Sequence, residues 1–292
     1  PGRAEHHSAD GFRNRHVSGA AKGLWDVLRW QLSKEARPID KGTVERVPID
    51  FSAINHGDGS SRLTWIGHST VLIQSSGINI LSDPILSERA SPVSFAGPKR
   101  YTPPALQLHE LPDIDFVVIS HNHYDHLDRS TVEALGNSVQ WLVPLGLASW
   151  FHELGIERVR ELDWWEELRF GKVTFVATPS QHWSSRGLFD KNETLWASWV
   201  IMVGDERYWF GGDTGYNPHD FNEIGQRYGP FDLAVIPIGA YEPRWFMKQM
   251  HVNPQEAVKI HQDIRSMFSV PVHWGTFKLS DEAILAPARD LR

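Results

Sequence analysis

The stretch Asp115-Phe116-Val117-Val118-Ile119-Ser120 runs straight into His121-Asn122-His123-Tyr124-Asp125-His126-Leu127-Asp128, and its two halves ask for opposite environments. The first half is a short apolar run, the pattern of a strand buried on both faces. The second half packs three imidazoles and a carboxylate into positions 121–126. Continued as a strand, it would put His121, His123 and Asp125 on one side and His126 on the other. A loop leaving the end of a buried strand can instead wrap all four around adjacent cations. Neutral imidazole and carboxylate are natural ligands for Zn²⁺ and similar borderline ions. A single histidine here would read as a hydrated loop residue; this density reads as a metal loop.

Such a loop cannot complete two cation sites alone, so further donors must come from distant segments. Three residues share one context, a ligand type at the end of an apolar run. His182 follows VTFVATPSQ, Asp213 follows YWFGG, and His273 follows SMFSVPV. Each has a plainer reading as a structural residue, and Asp213 between glycines could serve only a turn. Their common placement makes ligation the better joint reading.

Outward from the loop, short β-type runs precede it: RLTWI from Arg62, then STVLIQ and INIL, separated by the turn signals Gly67-His68 and Ser75-Ser76-Gly77. After the loop, helix-like and strand-like segments alternate. Helix is expected at 130–135, 146–154, 221–227 and 254–264, and strand at 139–143, 173–178, 196–203, 206–210, 233–238 and 267–272. Sheets covered by helices on their outer faces fit this order. Residues 1–20 are polar and aperiodic and read as a flexible N-terminal arm, leaving 21–292 as a single domain. In GLWDVLRWQL (23–32), Leu24, Trp25, Leu28 and Leu32 fall on one helical face. Packing on its own domain is the plain expectation for that face, and a lipid interface the sharper one.

The 292 residues are 41% hydrophobic and 22% charged, enough to bury a full core. No apolar run approaches the ~18 residues of a membrane span. With 29 basic and 36 acidic residues, a net charge of −7 and no basic block, nucleic acid is not an expected partner. The absence of cysteine excludes disulfides, Cys nucleophiles and thiolate sites. The start at Pro1 rather than Met leads us to expect that the native N-terminus is missing, which leaves the compartment unread. A soluble or peripheral membrane protein is expected. The 15 His and 13 Trp cluster around particular segments.

Taken in order, HNHYDHLD, QHW (181–183), GDTGY (212–216) and HWGTF (273–277) resemble the metallo-β-lactamase superfamily. Longer stretches are similar to its N-acylphosphatidylethanolamine-hydrolysing phospholipase D family: LSDPILSERASPVSFAGPKRY from Leu81, WLVPLGL from Trp141, ELDWWE from Glu161, and residues 210–247, which end in GAYEPRWFM. HxHxDH specifies only the superfamily; ELDWWE and GAYEPRWFM are far more particular. The resemblance runs over about 64–277.

The resemblance implies an αββα sandwich with a two-metal site at the sheet edge. By motif, His121, His123 and His182 would hold one Zn²⁺, and Asp125, His126 and His273 the other. Asp213 would bridge them with a water or hydroxide. Iron or manganese is a less favoured occupant. Such a pair lowers the pKa of a bridging water and clamps a phosphoryl oxygen. Asp125 or Asp213 could orient that nucleophile or relay its proton. His251 is placed by the family motif beside the phosphate or leaving group, against the plainer role of a helix-entry residue. Met250 stands where mammalian members carry Gln, which puts polar recognition there in doubt. His68 and Asp83 are candidates for supporting the ligands from behind, or simple turn residues. Arg186 falls where the family has a basic residue near an amphiphile pocket, although a solvated Arg is the plainer reading. Trp245, with Phe246, is core by default and a lipid contact on the sharper reading.

The expected activity is therefore zinc-dependent hydrolysis of N-acylphosphatidylethanolamine to N-acylethanolamine and phosphatidic acid, at a membrane surface, with a homodimer allowed. Other members of the superfamily open lactones or cleave other phosphodiesters, so the fold alone does not choose. Two further readings are a metal-binding sensor without turnover and a di-iron redox protein, the latter lacking any evident flavin domain.

Overall fold

The structure is a computed structural model and describes residues 4–17, 22–33, 44–55 and 59–292. Alternation along the strands explains its layers. In β4 (Thr70–Ser75), Val71 and Ile73 point into one core while Leu72 points into another. In β10 (Val173–Thr178), Val173, Phe175 and Ala177 join Val71 and Ile73, whereas Val176 faces away. Each sheet thus buries both faces, and strands with no solvent side read as continuous apolar runs.

One sheet holds β3 (Arg62–Gly67), β4, β5 (Ile78–Ser82), β6 (Phe116–Val118), β7 (Gln140–Pro144) and β8 (Val159–Leu162) in that spatial order. The other runs β14 (Ser266–Val272), β13 (Phe231–Pro237), β12 (Glu206–Phe210), β11 (Ser198–Val203), β10 and β9 (Glu167–Phe170). Antiparallel pairing links β3 through β5 and β9 through β12. Parallel pairing links β5 through β8 and β12 through β14. Between the sheets lies a core that includes Trp199, Phe210, Phe175 and Leu142. On the outside, α3 (Arg129–Leu135) and α4 (Ala148–Glu153) cover the first sheet through Val132 and Phe151. Helices α5 (Pro218–Tyr228) and α7 (Pro254–Asp263) cover the second through Phe221, Ile224, Ala257 and Ile260. Shorter helices α2 (Phe51–Asn55), α6 (Arg244–Met247) and α8 (Ala286–Leu291) complete the described chain. This is the αββα arrangement that the motifs implied. No helix among the described residues is long and apolar enough to cross a membrane.

Two expectations need correction. Of the arm expected at 1–20, residues 1–3 and 18–20 lie outside the described residues, and 4–17 are not loose. They form a hairpin, β1 (His7–Ser8) with β2 (Gly11–Phe12), fastened to the sandwich. His6 Nε2 and His7 Nε2 lie 2.6 and 2.7 Å from the two oxygens of Asp163, and Phe12 N donates to the Asn192 carbonyl at 2.9 Å. No apolar period marks these residues because the fastening is polar. The expected helix at 23–32 is α1 (Leu24–Leu32), but its apolar face does not pack inward. Trp25, Leu28 and Leu32 are 83%, 46% and 78% exposed. The side chain of Leu24 lies outside the described residues. The anchor is Trp30, stacked on Phe246 at 4.9 Å and donating from Nε1 to Asp281 at 2.6 Å.

Trp199 joins the two sheets: its ring fills the central core and its Nε1 donates to the Ile119 carbonyl at 2.9 Å, just past β6. Trp199→Ala should cost about 3–5 kcal/mol, read as a lowered midpoint in urea with an unchanged slope.

Candidate metal centre

The candidate ligands sit where strands end. His121 follows β6, His182 follows β10, Asp213 follows β12, and His273 follows β14 directly. His68 occupies the β3–β4 turn and Asp83 the residue after β5. Because these strand ends share one edge of the sandwich, donors far apart in sequence converge there. The backbone is bent to achieve it. His68, Asp83 and His273 adopt φ of 53°, 34° and 62°, a left-handed region that side chains rarely enter. Gly212, at φ 56°, allows close approach, since a Cβ there would meet that of Ser120 at 2.4 Å.

Two donor groups result. In the first, His123 Nδ1 lies 2.8 Å from His121 Nε2 and 3.3 Å from His182 Nε2. In the second, Asp125 Oδ2 lies 3.3 Å from His126 Nε2 and 3.4 Å from His273 Nε2. Donors bound at about 2.0–2.1 Å in a tetrahedron stand roughly 3.3–3.4 Å apart. Asp213 lies between the groups. Its Oδ2 is 3.2 Å from His126 Nε2, 3.8 Å from His182 Nε2 and 4.0 Å from His121 Nε2; its Oδ1 is 3.2 Å from His273 Nε2.

The imidazoles are aimed by partners on their far nitrogens. His126 Nδ1 pairs with Asp83 Oδ2 at 2.6 Å, and His182 Nδ1 donates to the Met250 carbonyl at 2.9 Å. His121 Nδ1 meets Ser120 Oγ at 2.8 Å, and that hydroxyl donates to Asp83 Oδ2 at 2.5 Å. Each arrangement turns an Nε2 toward the cluster, the orientation that outer partners of metal-ligating histidines impose. His126 Nε2, His273 Nε2 and Asp213 Oδ1 are buried without any hydrogen-bonding partner. Orphaned donors of these types, facing one another, fit a divalent cation.

Charge supports the same reading. Burial alone would push the Asp125 and Asp213 carboxyls up, yet neighbouring imidazoles, His126 foremost, hold both well below the usual range. Burial opposes protonation of His126 and His273, but the carboxylates overcome it, raising His126 well above its ordinary value and His273 to about 9. Burial dominates at His121, which is pushed far down, and at His123 and His182, pushed to about 4 and 3. Buried carboxylates here need positive charge, and a cation would take over from the protons on His126 and His273.

The remaining residues singled out in the sequence also find places. His251 faces the cluster, its Nδ1 3.7 Å from Asp213 Oδ2 and its side chain slightly open to solvent. His68 Nε2 contacts Asp125 Oδ2 at 2.9 Å, and Asp83 holds Ser120 and His126. Met250 contributes its carbonyl, and its side chain is buried with Phe246 and Met247. Arg186 is neither solvated nor turned to a pocket alone. Its Nη1 donates to the carbonyls of Asn122 and Leu127 at 3.0 and 2.8 Å, bracketing the metal loop, and its guanidinium stacks over Tyr124 at 4.2 Å. Trp245 is 42% exposed under the Arg29 guanidinium. Ser120 and Asn14 also serve the site and were missed. A serine closing an apolar strand and an asparagine in a polar tail carry no motif.

The profile of the beta-lactamase superfamily domain matches residues 78–274. The chain is 42% identical to an N-acyl-phosphatidylethanolamine-hydrolysing phospholipase D of Caenorhabditis elegans over 93% of this chain and 82% of that one. It is 38% identical to a mitochondrial protein of the same description from Saccharomyces cerevisiae, over 88% of this chain and 57% of that one. Among solved structures, a possible metal-dependent hydrolase from Veillonella parvula superposes with a TM-score of 0.63 at 17% identity, covering 80% of this chain and 91% of that one. Fold and donor set together are those of a metal-dependent hydrolase.

Asp83→Asn keeps the shape but withdraws the charge that orients His126. Its divalent-cation affinity, measured by competition with a chromophoric chelator, should fall by about 10–100-fold.

Proposed function

The chain belongs to the metallo-β-lactamase superfamily, in the branch of the N-acylphosphatidylethanolamine-hydrolysing phospholipases D, and we propose that it is a two-zinc phosphodiesterase acting on that lipid class. The observation that carries the two-ion reading is the position of Asp213, within 4.0 Å of donors in both groups. A third triad, His182, Asp213 and His251, overlaps both and draws His251 into the same centre. The lipid substrate is supported by the two relatives whose names state that activity.

When bound, a zinc pair would supply hydroxide near neutral pH and offset charge on a phosphoryl oxygen. The protein's own groups do the rest. His121, His123 and His182 form one cradle, and Asp125, His126 and His273 the other. Asp213, or Asp125 opposite it, accepts the proton that the attacking water gives up. The water oxygen bonds to phosphorus, and the bond from phosphorus to the ethanolamine oxygen breaks. The departing oxygen takes up the proton that the carboxylate accepted, leaving phosphatidic acid and N-acylethanolamine. His251, at the open side of Asp213, donates an N–H to the phosphoryl or leaving oxygen.

The lipid is reached from the surface that α1 presents beside the metal centre. Phe246, Met247 and Met250 form an apolar wall with Trp30 and Trp183 against it. Trp30 ties α1 to that wall, and Trp25, Leu28 and Leu32 extend outward from it. Each such side chain is worth roughly 1.5–3 kcal/mol when buried in an apolar phase, enough together for reversible adhesion. A net charge of −7 opposes anionic lipid, so the apolar term should dominate and survive high salt.

Elemental analysis should find two zinc ions per chain, and incubation with N-acylphosphatidylethanolamine should release N-acylethanolamine with phosphatidic acid. Asp213→Asn should lose both cation retention and turnover; intact lipid beside an opened lactone would return the assignment to the superfamily. Trp25→Asp with Leu28→Asp should weaken binding to phosphatidylcholine vesicles by about tenfold or more, while hydrolysis of a short-chain soluble analogue is unchanged.

A further inference from the structure

The side chain of Asn14 makes a two-point contact with the backbone of His182. Its Nδ2 donates to the His182 carbonyl at 2.9 Å, and its Oδ1 accepts from the His182 N–H at 3.1 Å. A side-chain amide used this way replaces the pairing that a neighbouring strand would give. His182 lies beyond the end of β10, where the sheet ladder no longer reaches it. The same loop is gripped two residues on. Asn192 N donates to the Ser184 carbonyl at 2.8 Å, and the Ser184 N–H donates to Asn192 Oδ1 at 3.2 Å.

The hairpin carrying Asn14 is held at both ends and in the middle. At its start is the His6–His7–Asp163 clasp, in which each imidazole meets a different carboxylate oxygen. In the middle, Phe12 donates to the Asn192 carbonyl, and a Cβ on Gly11 would meet that oxygen at 2.1 Å. Only glycine permits this approach, at φ 135°. At its end, Arg15 Nη1 reaches Glu223 at 2.8 Å and Asp220 at 3.2 Å on α5. The hairpin also lies outside the matched superfamily domain, residues 78–274.

We infer that residues 6–15 are a strap whose Asn14 is a positioning residue for His182, and so for the His121–His123–His182 cradle. The inference rests on the two-ion reading proposed above. The Met250 carbonyl sets the rotation of the His182 ring, and Asn14 sets the backbone from which the ring projects. Neither alone fixes where Nε2 stands. The strap therefore acts on one cradle and not on the Asp125–His126–His273 cradle, whose members it does not hold.

The test is zinc titration of the full apo-chain against a chromophoric chelator, resolving the two binding events. Asn14→Ala should weaken one event by about 10–100-fold and leave the other within about twofold. Opening the clasp with His6→Asn and His7→Asn should weaken the same event more mildly. Val139→Ala, a core truncation just before β7 in a cluster that holds no residue of the strap or of α5, serves as the destabilised control: it should lower the melting temperature and leave both events as they are. Asn14→Asp, which keeps the acceptor and loses the donor, serves if Asn14→Ala does not fold, and should weaken that same event. Two events of wild-type strength in these variants would overturn the strap. So would equal weakening of both in step with melting temperature. A wild-type chain that binds fewer than two ions would instead refute the two-ion reading.

Discussion

Two carboxylates, Asp125 and Asp213, are taken out of bulk water among seven imidazoles, those of His68, His121, His123, His126, His182, His251 and His273, and much else in the structure follows from compensating them. An unpaired ion in a protein interior carries a penalty of several kcal/mol. Here His126 and His273 meet both carboxylates, and Asp83 stands behind His126 to hold it in place. The centre is thus a charge network that closes on protons when no cation is present and is built to exchange them for one. Three of its orphaned atoms, His126 Nε2, His273 Nε2 and Asp213 Oδ1, lie within this network.

Such a network needs donors from many places at fixed separations, which the sandwich supplies by bringing strand ends to one edge. Strands are stiff and their register is set by the two apolar faces, so a residue placed just past a strand end inherits that precision. The cost is backbone strain at His68, Asp83 and His273, each in a left-handed conformation. The strain is tied down by short-range bonds. His273 N donates to the His68 carbonyl at 3.0 Å, and His68 N donates to Thr276 Oγ1 at 2.8 Å. His68 and His273 are therefore held to each other, while Asp83 N donates to the Val118 carbonyl at 3.0 Å.

This division decides what could be read from the residues alone. The convergence of the candidate donors was legible because chemistry restricts their types and strand ends restrict their spacing. Strands such as 173–178 and 206–210 were legible because both faces are apolar or regularly alternating. Strands β8 and β9, VREL and ELRF, passed unread because their charged edge positions break the apolar run. The hairpin at 6–15 failed for a deeper reason. It is fixed by His6, His7, Asn14 and Arg15, each reaching across more than a hundred residues of sequence, so no local period records it. Exposure of the α1 face was illegible too, since an amphipathic pattern states that a face is apolar and not what it meets.

Arg186 shows how position in a motif and role in a structure can separate. A loop that points its side chains inward toward cations turns its carbonyls outward, where they need donors. The metal loop has that problem at both ends, Asn122 and Leu127, and one guanidinium answers it with two bonds. The guanidinium lies over the rings of Tyr124 and Trp150 at 4.2 and 5.0 Å, and burial lowers its pKa to about 10, still leaving it charged at neutral pH. A lysine could carry the charge but not bridge two carbonyls from a plane lying over aromatic rings. The same residue lines a cavity of about 740 Å³ on the outer side of the loop, with Tyr124 and Trp150 in its wall.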